Sequence, residues 1–101
     1  MAQFSVYRNP NIQSNQEYPY LLDIQNDLLS TMTTRVVIPL SKTLKPVKHL
    51  NPIFQIEGNS IVLSVAEMAG VPVSMLENEI TNLKEYHDEI INAIDFLING
   101  F

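Results

Sequence analysis

Ile53-Phe54-Gln55-Ile56-Glu57-Gly58-Asn59-Ser60-Ile61-Val62-Leu63-Ser64-Val65 sets two runs of β-branched and aromatic residues around a glycine-containing centre. Such side chains suit a pleated, half-buried surface, and Glu57-Gly58-Asn59 supplies what a tight reversal needs, so the stretch predicts a β-hairpin. Toward the N-terminus, Arg35 to Leu40 and Tyr18 to Ile24 carry the same enrichment, and Ser30 to Thr34 between them reads as a turn. Gln3 to Tyr7 alternates, with Phe4 and Val6 on one face and Ser5 and Tyr7 on the other, which is the period of a half-buried strand. Pro39 cannot donate to a ladder and is therefore expected at a strand end or a sheet edge. Asn9-Pro10-Asn11, continuing through Ser14-Asn15-Gln16, predicts an exposed loop, and a second loop holds Pro46 and Pro52.

Beyond the hairpin, Ala66 to Gly70 has room for a helical turn only. Val71 to Met75 reads as extended, because the residue before Pro72 is pushed out of the helical region. From about Asn82 the period changes: Leu83, His87, Ile90, Ile94, Leu97 and Phe101 recur at helical spacing along one face, predicting a helix to the C-terminus. Asn82 with Glu85 three residues later resembles a capping arrangement, and Gly100 stands where helices commonly end in a left-handed residue. Strands followed by one helix imply an α+β, mostly β fold: an antiparallel sheet, in the form of a small SH3-like barrel, with one C-terminal α-helix packed on it. Residues 1–101 are expected to form a single domain, long enough to bury one core without a metal or a disulfide.

The hydrophobic fraction of 46% and the charged fraction of 17% are those of ordinary globular proteins, and no run is long and apolar enough to span a bilayer. The first residues lack the basic start and apolar run of a secretory signal, and the chain has no cysteine, which fits a reducing cytoplasm. The formal charge is −5. Glu77, Glu79, Glu85, Asp88, Glu89 and Asp95 crowd the last quarter, whereas Lys42, Lys45, Lys48 and His49 form a short basic stretch. An acidic chain with two guanidinium groups, Arg8 and Arg35, repels phosphate backbones, so direct nucleic-acid binding is not expected.

Catalytic signatures are missing: there is no G-x-S-x-G, no phosphate-cradling glycine loop and no metal-ligand spacing, so neither a catalytic residue, a metal nor a cofactor is expected. In Glu85-Tyr86-His87-Asp88-Glu89 the neighbours point in different directions on a helix and cannot meet one ion, which leaves His87 as a boundary residue of the packed face. His49 reads as a surface loop residue. Met32, Met68 and Met75 serve either as core filling or as an adaptable contact surface. Phe101, a large aromatic just past the helix end, either folds back into the core or meets a partner.

Gln3-Phe4-Ser5-Val6-Tyr7, Tyr20-Leu21-Leu22-Asp23-Ile24-Gln25-Asn26-Asp27, Arg35-Val36-Val37-Ile38-Pro39-Leu40, Val71-Pro72-Val73-Ser74 and Ile91-Asn92-Ala93-Ile94-Asp95 together resemble the CcdB family over nearly the whole chain. The resemblance implies a homodimeric toxin of a toxin–antitoxin system, a poison rather than an enzyme. It also implies a target, the A subunit of DNA gyrase, trapped on cleaved DNA, and a CcdA-type antitoxin whose disordered segment folds on the toxin. The family's gyrase contacts centre on its last three residues, usually Trp-Gly followed by an aliphatic residue, which here are Asn99, Gly100 and Phe101. Losing the tryptophan removes ~1–2 kcal/mol of cation–π attraction, and a buried Phe101 would offset part of it with roughly 1.5–3 kcal/mol. Lys42, Lys45 and Lys48 would suit an acidic antitoxin segment. The same resemblance carries two rivals: an mRNA-cleaving toxin of the MazF and Kid type, which shares the fold, and a gyrase-silent protein kept for antitoxin binding.

Overall fold

The computed structural model describes residues 2–100. Seven strands, β1 (Ser5–Arg8), β2 (Tyr20–Asp23), β3 (Thr34–Ser41), β4 (Ile53–Ile56), β5 (Asn59–Leu63), β6 (Ala69–Pro72) and β7 (Glu79–Asn82), precede one helix, α1 (His87–Asn99). Every pairing is antiparallel, in the order β4-β5-β3-β2-β1-β7 with β6 added to β3. The result is a curled half-barrel carrying a single C-terminal helix, the architecture the sequence predicts.

The hairpin forms as read, with Ile56 opposite Asn59 and the turn made by Glu57 and Gly58, both at positive φ (51° and 80°). Strand β3 is the pivot of the sheet. Its first half pairs with β6 (Val37 opposite Ala69) and its second half with β5 (Leu40 opposite Leu63). Pro39 lies between those two registers, so it is neither at an edge nor at a strand end. Its carbonyl accepts the Ser64 amide at 2.9 Å, and its missing N–H points to the same side, into the gap where β6 gives way to β5.

Phe4, Val6, Leu22, Ile38, Leu40 and Leu63 belong to the main core inside the curl, which α1 closes with buried Ile90 and Ala93. Fully burying a side chain such as Ile90 contributes roughly 1.5–3 kcal/mol. β1 is buried on both faces rather than one, because Tyr7 joins Leu21, Val37 and Leu76 in a second apolar cluster on the outer face of the sheet. Segment 65–76 runs from Val65 in the main core, along β3 as β6, to Met75 and Leu76, which pack on that outer face. Its extended part is Ala69–Pro72, with short 3-10 turns at Val65–Glu67 and Val73–Met75, so the extended reading of Val71 to Met75 holds only as far as Pro72.

The helix starts five residues later than its period suggested. Glu79–Asn82 is a strand against β1, with Ser5 opposite Asn82, and a 3-10 turn (Lys84–Tyr86) then leads into α1. Asn82 does not cap with Glu85. Its Oδ1 accepts the Lys84 amide at 2.8 Å, while its Nδ2 donates to the Gln3 carbonyl and to Ser5 Oγ, each at 3.1 Å. The exposed edge of β1 needed a partner for its backbone groups, and that long-range demand outweighs the local capping pattern.

Candidate functional site

Helix α1 ends at Gly100, whose φ of 76° puts it in the left-handed region, and its amide donates back to the Phe96 carbonyl at 2.9 Å. This is the glycine stop the sequence predicts. Asn99 and Gly100 are exposed, while Phe101 falls outside the described residues. Leu97, expected on the packed stripe, is 40% exposed, and Ile98 is 71% exposed. The last helical turn thus presents apolar surface to solvent beside the terminal motif.

Lys42, Lys45 and Lys48 are all exposed on the 42–52 loop between β3 and β4, and among the described residues none of them pairs with a carboxylate. Leu44 and Val47 are exposed between them, Val47 at 56%. The loop is held from within. Ser41 Oγ accepts the amides of Thr43 and Leu44 at 3.1 and 3.0 Å, and Asn51 accepts the Val47 amide at 2.8 Å while donating to the Leu63 carbonyl at 2.9 Å. His49, itself at φ 69°, sets its ring 6.0 Å from Phe96 of α1. His49, Asn51 and Pro52 then face Glu89 and Asn92 across a cleft of about 290 Å³. The basic loop and the helix that carries the terminal motif therefore lean on each other.

Arg35 is the cation a ribonuclease reading would call on, and it is 1% exposed. Its Nε donates to Asp23 Oδ2 at 3.0 Å and its terminal nitrogen to the Gln25 carbonyl at 3.2 Å, with Asp27 a further 3.5 Å contact. Asp23 is fully buried beside it, and Gln25 closes the knot by accepting the Val36 amide at 3.0 Å. A guanidinium so enclosed holds the 24–33 loop to β3 and has no face left for a phosphate.

A family model described as CcdB protein matches residues 3–100. The chain belongs to the CcdB family. Family membership makes it a toxin-type member of toxin–antitoxin systems. Among solved structures, an "Endoribonuclease from Mycobacterial species" superposes with a TM-score of 0.75 at 11% identity, covering 97% of this chain and 90% of that one. "Mycobacterium tuberculosis toxin MazF-mt6" gives 0.71 at 16% identity over 79% and 85% of the two chains. A structure titled "Crystal structure of Mtb toxin" gives 0.66 at 18% identity over 76% and 88%. At these identities the likeness is one of fold: CcdB-family and MazF-type toxins share this half-barrel.

The CcdB-family chain also carries a clasp that sequence reading did not pick out. Glu57, at the hairpin tip, accepts a short hydrogen bond from the Tyr20 hydroxyl on β2 and lies 3.0 Å from the Arg8 guanidinium on β1. The Tyr20 hydrogen bond first, and Arg8 second, hold the Glu57 carboxyl below its ordinary value. Burial, followed by the Glu57 carboxylate, pushes the Tyr20 hydroxyl up to about 12. The clasp joins residues 49 positions apart and draws the hairpin across the sheet. No periodicity or spacing signals it, since it depends on how strongly the sheet curls.

His87 is half-exposed, its ring set edge-on to Phe4 at 5.2 Å and its Nδ1 3.1 Å from Asp88 Oδ1. That is the boundary position read from the sequence. Phe4 itself takes a φ of 70°, an uncommon conformation for a bulky residue, fixed by its amide on the Asp23 carbonyl and its carbonyl on the Leu83 amide. Met32 is 48% exposed in the 24–33 loop beside Leu28 at 89%, while Met68 and Met75 are half-buried against the two apolar clusters. Among the described residues no three His, Asp or Glu side chains gather as metal ligands, and no helix is long and apolar enough to cross a membrane.

Proposed function

We propose that this protein is a cytoplasmic, homodimeric toxin that binds the A subunit of DNA gyrase, traps the gyrase-cleaved DNA complex and is neutralised by a CcdA-type antitoxin. The observation that carries the reading is the exposed end of α1. Asn99 and Gly100 are presented by a helix whose last turn offers Leu97 and Ile98 to solvent, and the family match runs through Gly100. Apolar side chains exposed beside a left-handed glycine form a compact protruding surface suited to insertion between subunits of a partner. Phe101 is assigned to the same contact. The lysines of the 42–52 loop, interleaved with Leu44 and Val47, suit an acidic, partly apolar segment that folds on binding.

The second reading, an mRNA endoribonuclease, draws support from the fold shared with the MazF-type structures. Enclosure of Arg35 and the net charge of −5 weigh against it, because Arg35 cannot reach a phosphate and an acidic chain repels the RNA backbone. Two measurements separate the readings. Calorimetric titration of purified protein into the gyrase A subunit is expected to give a saturable complex, and incubation with RNA is expected to leave the RNA intact. RNA cleavage without gyrase binding would reverse the assignment. A protein that does neither, and whose expression without antitoxin leaves growth unaffected, is the gyrase-silent antitoxin binder.

A further inference from the structure

On the outer face of the sheet, away from both surfaces described above, lies a groove of about 180 Å³. Leu21, Val37, Pro39, Ala69, Val71 and Met75 line it, and Glu67 is the one charged side chain among its described walls. Tyr18 stands at the same rim, and its hydroxyl is pushed up to about 12 by its hydrogen bond to Glu67, with partial burial adding. A narrow apolar slot with a single carboxylate at its mouth is complementary to a side chain that is aliphatic along its length and cationic at its tip.

The wall opposite β6 is rigid before anything binds. Asn9 is 5% exposed, and its Nδ2 donates to Ser14 Oγ at 3.0 Å and to the Tyr18 carbonyl at 2.8 Å, while its Oδ1 accepts the Asn11 amide at 3.0 Å. The loop carrying Tyr18 is thereby pinned at three points, which lowers the ordering cost of binding. The other wall, β6, pairs only with β3 among the described residues, so its outer edge offers backbone donors and acceptors to an extended chain.

We propose that this groove receives an arginine side chain from an extended segment of a partner protein, the segment lying along the free edge of β6 and the guanidinium meeting Glu67 over the Tyr18 ring. Arginine fits better than lysine because a planar guanidinium can satisfy a carboxylate and lie on an aromatic face at once. This site is separate from the terminal motif and the basic loop, and it stands whether or not gyrase is the target.

The test is an NMR titration of the full-length protein with acetyl-Val-Arg-Val-amide, following the methyl groups of Val71, Met75 and Ala69. Analogues carrying norleucine or glutamate in place of arginine serve as controls. The arginine peptide is expected to shift these methyls saturably, and both analogues to bind roughly tenfold more weakly or not at all. E67Q removes the charge from an exposed position, and A69L fills the slot without touching the charge. Each is expected to abolish the saturable shift while leaving resonances of the main core in place. The proposal is overturned if the wild-type protein shows no saturable shift, if the norleucine peptide binds as well as the arginine one, or if either variant binds as the wild type does.

Discussion

Arg35 and Lys45 are both cations in a chain of net charge −5, and the fold treats them in opposite ways. Arg35 is 1% exposed, with its guanidinium shared among Asp23, Asp27 and the Gln25 carbonyl. Lys45 and its neighbours Lys42 and Lys48 stand in solvent with no carboxylate partner among the described residues. A buried cation is tolerated only when its partners replace the lost water, so Arg35 belongs to the scaffold. Three unpaired ammonium groups in a row cost little while exposed and gain when an acidic chain arrives. Burial and pairing, not charge alone, separate structural cations from those available to a partner.

The comparison breaks most visibly at Asp23. D23A strands a buried guanidinium and also removes the carboxylate that accepts the Gln25 amide, so a loss of about 3–5 kcal/mol is expected in urea unfolding. A loss no larger than that of a surface substitution would mean that the knot is not structural. Charge reversal at Lys42, Lys45 and Lys48 together should leave the unfolding midpoint nearly unchanged. It should weaken binding of an acidic antitoxin segment by roughly tenfold or more, with a shallower salt dependence. Affinity insensitive to both the reversal and salt would move the antitoxin elsewhere.

Gly100 and Glu57 give smaller effects. G100A must hold a side chain at a φ of 76°, which costs ~1 kcal/mol and is expected to fray the last turn of α1, read as faster amide exchange near Phe96. The Glu57 clasp sharpens the comparison because it is a charged cluster left partly exposed. Its folded-state pKa lies below the ordinary 4.5, so its contribution is present above that value and is lost as pH falls through the folded value. E57Q should therefore differ from the wild type near neutrality and converge with it in acid. Tyr20, with a raised value, works the other way: its contribution is present below pH 10 and fades as pH climbs toward about 12. A gap between E57Q and wild type that persists unchanged in strong acid would place the clasp's contribution outside ionisation.

The hairpin, the first three strands and the glycine stop of α1 were legible in the sequence because each is signalled by neighbours: a Gly58 turn, an alternating Phe4-Ser5-Val6-Tyr7, a Gly100 at a helix end. β7 was not legible. Glu79-Ile80-Thr81-Asn82 is short and weakly patterned, and only its pairing with β1, across more than seventy residues of chain, makes it a strand. Pro39 misled for a related reason, since a proline is harmless mid-strand when its missing donor faces a gap between two partners. For the functional surfaces, the exposed lysines and the helix end were readable as composition and position. The enclosure of Arg35 depended on Asp23 arriving from β2 and Gln25 from the loop after it, which no spacing announces.

The most direct test of the central claim is a DNA cleavage assay with gyrase from the matching host and ATP, run with the full-length protein and with a chain lacking Asn99-Gly100-Phe101. Linear DNA is expected to be trapped by the full-length protein and none by the shortened one, at equal folding stability. Trapping by both proteins would remove the terminal motif from the mechanism, and trapping by neither would contradict gyrase poisoning itself.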